Sequence, residues 1–204
     1  MCNPLYKGLP KTIFFVKKIA IFASGSGTNA ENIVQFFSES QQLQVDSIWT
    51  NNATAGVIER MKPYSCSVFV FNKTDFSSGK VLSQIQDRAI DGIVLAGFLL
   101  LIPPAFIEAF PNCIINIHPA LLPKHGGKGM YGSRVHEAVH QQGDKETGIT
   151  IHYVNEHYDE GGIIHQASIT IDSEDTPETI AQKVHQLEYE HFPRMIEKIF
   201  SSHV

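Results

Sequence analysis

The first strong signal along the chain is Ile19-Ala20-Ile21-Phe22-Ala23, a continuous apolar run that stops at Ser24-Gly25-Ser26-Gly27. A run of that length closed by a glycine turn predicts a strand buried on both faces. Comparable runs recur at Val45 to Trp49, Ser67 to Phe71, Ile93 to Ala96 and Ile114 to Ile117, with helix-compatible stretches between them at about 30–38, 55–62, 79–89 and 103–110. Strand alternating with helix predicts a parallel α/β sheet. Beyond residue 145 the rhythm changes. Gly148 to Val154 and Ile163 to Ile171 read as two strands with no long helix between them, added at one side of the sheet. The chain closes on Thr176-Pro177, a helix cap followed by proline at the first helical position. Apolar residues at Ile180, Val184, Leu187, Phe192, Met195, Ile196 and Ile199 then predict one long amphipathic helix packed on the sheet. No repeat, linker or low-complexity segment interrupts this pattern, so residues 17–204 read as a single domain. Residues 1–16 read as an N-terminal extension, with Pro4, Pro10 and no capped helix.

Composition narrows the function classes. Hydrophobic residues at 43% and charged residues at 18% supply a core and exclude a disordered chain. A net charge of -5 lacks the basic field on which nonspecific nucleic-acid binding relies, so no nucleic-acid partner is expected. Cys2, Cys66 and Cys113 are odd in number and far apart, which points to reduced thiols in a cytoplasmic protein, without a disulfide framework or zinc cluster. The apolar run Ile13 to Val16 is cut by Lys17-Lys18, too short and interrupted for a signal peptide or membrane span.

Three constellations carry candidate chemistry. Ser24-Gly25-Ser26-Gly27-Thr28-Asn29-Ala30 follows a buried strand and opens a helix, where glycines allow close approach and unpaired N–H groups hold an anion. The letters also fit the dinucleotide fingerprint, but the second strand ends in Trp49-Thr50-Asn51-Asn52 without the acid that would grip a ribose. A phosphate monoester is favoured over a dinucleotide, with a purely structural turn as the plain alternative. Asn116-Ile117-His118-Pro119-Ala120-Leu121-Leu122-Pro123 lies at a strand's carboxyl end, where α/β sheets present ligand groups. Asn116 and His118, two apart in an extended segment, point to one side and could hold the oxyanion of a tetrahedral intermediate. An isolated histidine at such a place is otherwise a satisfied core residue. Tyr158-Asp159-Glu160-Gly161-Gly162 puts a carboxylate in a turn; Asp159 beside His118 would raise the imidazole's pKa and orient it, whereas alone the turn is a solvated hairpin loop.

His136-Glu137-Ala138-Val139-His140 matches the H-E-x-x-H zinc pattern, with Glu160 as a possible third ligand. Helical periodicity puts Val135, Ala138 and Val139 on the apolar face and directs His136 and His140 away from the core. A solvated helix is therefore expected in place of a metal site.

Taken in order, Ala23 to Asn29, Leu95-Ala96-Gly97-Phe98, Asn116 to Lys124, Gly148-Ile149-Thr150-Ile151-His152 and Asp159 resemble the phosphoribosylglycinamide formyltransferases, folate-dependent enzymes of purine synthesis. The resemblance covers about residues 17–200. It implies a Rossmann-like, mostly parallel twisted sheet with helices on both faces. The implied activity is transfer of a formyl group from 10-formyltetrahydrofolate, a co-substrate, to the amine of glycinamide ribonucleotide, with no metal and nothing bound permanently. By position, the resemblance makes Asn116, His118 and Asp159 catalytic, and puts Gly27, Thr28 and Asn29 on the substrate phosphate and Glu188 on its glycyl amine. It puts Asn116 and the backbone of Leu99, Leu100, Leu101 and Ile102 on the folate.

Several positions depart from the family pattern. Leu100 stands where many members have Arg, Gly79-Lys80 where an Arg often opens a helix, and Gly162 where Pro is common. The loop from Gly126 to Gly132 carries Lys128, Met130 and Tyr131 in an unusual form. These changes bear on folate affinity more than on chemistry. Related folate hydrolases carry a further segment in front and tRNA formyltransferases a further C-terminal domain, so a chain ending at Val204 is expected to be neither. A module that only binds a phosphorylated metabolite is the alternative from another class.

Overall fold

The structure is a computed structural model that describes residues 16–201. Of the expected extension over 1–16 only Val16 falls within them; the apolar run from Ile13 and Cys2 lie outside the described residues. Among the described residues the strands are β1 (Lys17–Phe22), β2 (Leu43–Thr50), β3 (Ser67–Val70), β4 (Gly92–Leu95), β5 (Ile114–His118), β6 (Glu146–Tyr153) and β7 (Ile163–Thr170). They form one sheet in the order β3-β2-β1-β4-β5-β6-β7. The first five are parallel; β6 pairs antiparallel with β5, and β7 pairs antiparallel with β6 through a short connection that holds no helix.

The continuous apolar runs arise because both faces of the sheet are covered. Ile19, Ile21 and Ala23 point to one core with α1 (Thr28–Phe36), α2 (Gly56–Arg60) and the long α7 (Pro177–Phe200). Ala20 and Phe22 point to the other, with α3 (Lys73–Ser77), α4 (Lys80–Asp87) and α5 (Pro104–Ala109). Phe22 is fully buried at the centre of an aromatic group with Trp49, Phe71, Phe76, Phe98 and Phe106. A remaining helix, α6 (Ser133–Gln142), lies against α7 and ends at Gly143 in the left-handed conformation.

α7 starts where the sequence indicates: Thr176 and Thr179 form a reciprocal capping box, with Pro177 at the first helical position. Several strand boundaries differ from expectation, and one helix was not expected. β1 begins at Lys17, ahead of the apolar run, because the Lys17 ammonium pairs with Asp91 at 2.7 Å and the Lys18 N–H donates to the same carboxylate. α3 was not legible: five residues are too few for helical periodicity, and only Asn72, whose side chain accepts the Asp75 N–H, marks its start.

Candidate active site

The strand order reverses between β1 and β4, and at such a switch point the carboxyl ends of parallel strands leave a crevice. A cavity of about 650 Å³ opens there, walled by the loops after β1, β4 and β5, by the starts of α1 and α6, and by α7.

At one end is the glycine loop. Gly27 caps α1 with φ 76°, and a Cβ there would sit 2.4 Å from Cγ2 of Val57, so glycine is required by the fold itself. No side chain caps α1, which leaves the N–H groups of its first turn facing the cavity. The hydroxyl of buried Ser24 donates to Asn51 Oδ1 at 2.6 Å and accepts the Leu99 N–H at 3.0 Å, which ties this loop to the one after β4. Asn29 donates to Oε2 of Glu188 at 2.9 Å, and the same oxygen lies 2.7 Å from Nδ1 of His185. Glu188 is only 4% exposed, and its hydrogen bond pushes the His185 pKa up, so the carboxylate and imidazolium form a pair at the cavity wall. Oδ1 of Asn29 is buried without a partner.

At the other end three predicted residues converge. The β5 register places Asn116 opposite His152 on β6. Nδ1 of His152 is 2.8 Å from the Tyr153 carbonyl, which only accepts, so Nδ1 carries the proton and Nε2 takes the Asn116 amide N–H at 3.0 Å. The second amide proton faces Asp159 Oδ1 at 3.5 Å, a bond long enough to yield to a better acceptor. His118 donates from Nε2 to the His125 carbonyl at 2.7 Å and turns Nδ1 toward Asp159 Oδ2, 3.6 Å away. The backbone of Asp159 is left-handed, φ 58°, and Oδ2 accepts the Gly127 N–H at 2.8 Å. The loop after β5 is held by buried Thr150, whose hydroxyl donates to the Ala120 carbonyl and accepts the Leu122 N–H.

The electrostatics correct one expectation. Burial lowers the His118 pKa below its ordinary value and outweighs Asp159, which pushes it up. The imidazole is therefore neutral at rest, not held protonated. Burial pushes the Asp159 carboxyl up, yet it is held below its ordinary value, in part by the Gly127 N–H.

Gly27, Thr28, Asn29, Leu99, Asn116, His118, Asp159 and Glu188 all line the cavity. Of the five residues expected on the folate, Asn116 and Leu99 do so. Leu100 and Ile102 pack into the core beneath, and Leu101 is 44% exposed. Sequence reasoning missed His152, although a histidine in the continuously buried run of β6 was the available signal. It also misplaced His136, which is buried, because α7 covers a second side of α6 that periodicity could not reveal. His140 and Glu160 are exposed, and among the described residues no three metal-ligating side chains gather.

A family model described as formyl transferase matches residues 17–196. The phosphoribosylglycinamide formyltransferase of Bacillus subtilis is 37% identical over 90% of this chain and 95% of its own. The chloroplastic phosphoribosylglycinamide formyltransferase of Arabidopsis thaliana is 40% identical over 82% of this chain. The chain spans about three fifths of the length of that relative and of one from Vigna unguiculata, 60% and 61%. Among solved structures, phosphoribosylglycinamide formyltransferase from Bacillus halodurans superposes with a TM-score of 0.82 at 36% identity, covering 91% of this chain and 96% of the other.

Proposed function

The chain belongs to the formyl transferase family, and from that premise we propose that it transfers a formyl group from 10-formyltetrahydrofolate to the amine of glycinamide ribonucleotide, as an enzyme of purine synthesis. The observation that carries this reading is one cavity with an uncapped helix start at one end and Asn116, His118 and Asp159 at the other. A phosphorylated amine and a formyl donor need those two ends.

The acceptor phosphate rests on the N–H groups of Gly27 to Asn29, and Glu188 holds the amine end. The pterin lies along the Phe98–Leu99 wall. The neutral amine attacks the formyl carbon, a C–N bond forms, and charge moves to the formyl oxygen. Asn116 turns its second amide proton from Asp159 to that oxygen. His118, neutral at rest, takes at Nδ1 the proton that the attacking amine loses, and Asp159 stabilises the imidazolium until that proton passes on. Collapse breaks the bond from carbon to N10 of the folate, and the proton lost by the amine ends on N10. Both ligands are substrates that leave, and no metal enters the scheme. A cytoplasmic location belongs to the same reading.

The test is incubation with 10-formyltetrahydrofolate, with and without glycinamide ribonucleotide, following release of tetrahydrofolate. Release that requires the acceptor supports the transferase. Release without it makes the protein a hydrolase, and no release makes it a binder.

A further inference from the structure

We infer that the first turn of α6 and the loop before it, through Arg134, Lys128 and His136, form a second wall of the phosphate site and read the phosphate of the acceptor. This rests on the functional reading above and extends it to residues outside the glycine loop.

A phosphate monoester carries about two negative charges near neutral pH, and the start of one helix supplies roughly half a positive charge. The cavity adds two carboxylates of its own, Asp159 and Glu188, and the His185 imidazolium offsets only the second, so further positive charge is required. Arg60 reaches the glycine loop but is committed: it bonds Glu31 at 2.6 Å and the Ser26 carbonyl at 2.9 Å. Among the described cavity-lining residues, the lysine and arginine side chains are Lys128 and Arg134. Neither has a carboxylate partner among the described residues; Arg134 lies over the Tyr131 ring at 5.0 Å, which leaves its N–H groups free to donate.

The helix packing brings the first turn of α6 toward the phosphate end, through His136. Asn29 of the glycine loop bonds Glu188, Glu188 bonds His185, and the His185 ring is 6.3 Å from that of His136, two residues beyond Arg134. His136 supplies an independent sign of a missing partner. It is 3% exposed, it lines the cavity, and its Nδ1 has no hydrogen-bond partner. A buried polar atom left unpaired in this way is costly, and an acceptor oxygen would satisfy it. α6 is also uncapped by any side chain, so its N–H groups add to those of α1.

The test crosses four variants of the intact protein, Arg134→Ala, Arg134→Lys, Lys128→Ala and His136→Gln, with two acceptors, glycinamide ribonucleotide and the phosphate-free glycinamide riboside. Arg134→Ala should raise KM for the ribonucleotide about tenfold or more, the scale of a hydrogen bond to a charged group. It should leave kcat and the folate KM within about threefold, and it should leave the riboside unaffected. Arg134→Lys should recover part of the loss; Lys128→Ala and His136→Gln should show smaller losses of the same kind. An equal loss for both acceptors, a loss confined to the folate, or no loss overturns the inference. Melting temperatures identify a variant that has failed to fold; the exposed Arg134 and Lys128 variants then decide the matter. If the wild-type protein formylates neither acceptor, it is the functional reading that falls.

Discussion

Nε2 of His118 lies 2.7 Å from the main-chain oxygen of His125. That carbonyl keeps a proton on Nε2, so the nitrogen that titrates is Nδ1, the one facing Asp159. His125 is itself fixed, because its Nε2 is 2.7 Å from Asp144 on the far side of α6. The His118 imidazole is thus held between the His125 carbonyl and Asp159.

Asp159→Asn tests this arrangement through pH. The variant keeps the burial that lowers the His118 pKa and loses the carboxylate that opposes it, so Nδ1 becomes harder to protonate. Turnover near neutral pH should fall by about a hundredfold or more, and the residual activity should recover toward acid. His118→Ala should lose at least as much and show no such recovery. A pH profile of kcat for Asp159→Asn with the wild-type shape and height would remove Asp159 from the mechanism.

His152 predicts a different kinetic signature. Its unprotonated Nε2 holds the Asn116 amide at 3.0 Å, and no other acceptor at that distance aims that proton. His152→Phe should free the amide to rotate and lower kcat by about tenfold, while KM for the acceptor, whose phosphate is proposed to rest at the other end of the cavity, stays near normal. His152→Gln, whose side-chain oxygen can accept, should recover part of kcat. Steady-state kinetics on the two variants separates this positioning role from a fold defect, which would lower both alike.

Much of this was readable from letters because two periods were clean. The apolar strands, their alternation with helices and the turn residues at Gly27 and Asn116 to Pro123 all follow from local pattern. What escaped depends on partners distant in sequence. His136 is buried by α7, Asn116 is aimed by a histidine on β6, and the sign of the His118 shift is set by how much protein surrounds it. Leu100 and Ile102 turn into the aromatic core beneath the loop, which a run of four apolar residues does not announce.

The glycine loop needs a gentler probe than its glycine. Gly27→Val clashes with Val57 and meets a left-handed backbone, so it should lower the melting temperature and weaken both ligands together. Thr28→Ala removes one hydroxyl from the cavity wall. It should cost roughly 0.5–1.5 kcal/mol of acceptor binding if the lost bond is neutral, or up to about 3 kcal/mol if it reaches a charged phosphate. Calorimetry should find folate affinity unchanged. Equal acceptor affinity in Thr28→Ala and wild type would take that hydroxyl out of the phosphate site.

The pair of His185 and Glu188 predicts how stability itself depends on pH. Nδ1 of His185 and Oε2 of Glu188 are 2.7 Å apart, and this bond raises the histidine's pKa above its ordinary 6.5. A raised value in the folded state means the charged form is favoured by folding. The contribution is therefore complete below the ordinary value and fades as pH rises through the raised one. His136 works in the opposite sense: burial first, and then the His185 charge, lower its pKa, so acid protonates it at a cost to the fold. Also against the pair are Asn29 on α1, which does not titrate, the Tyr189 ring stacked on His185 at 6.1 Å, and His118 across the cavity from Glu188. In urea unfolding, His185→Gln should be less stable than wild type in mild acid, and the gap should close as pH rises above neutrality. His136→Gln should show its advantage over wild type only in acid. A His185→Gln deficit that grows with pH would mean that the 2.7 Å contact is not an ion pair in solution.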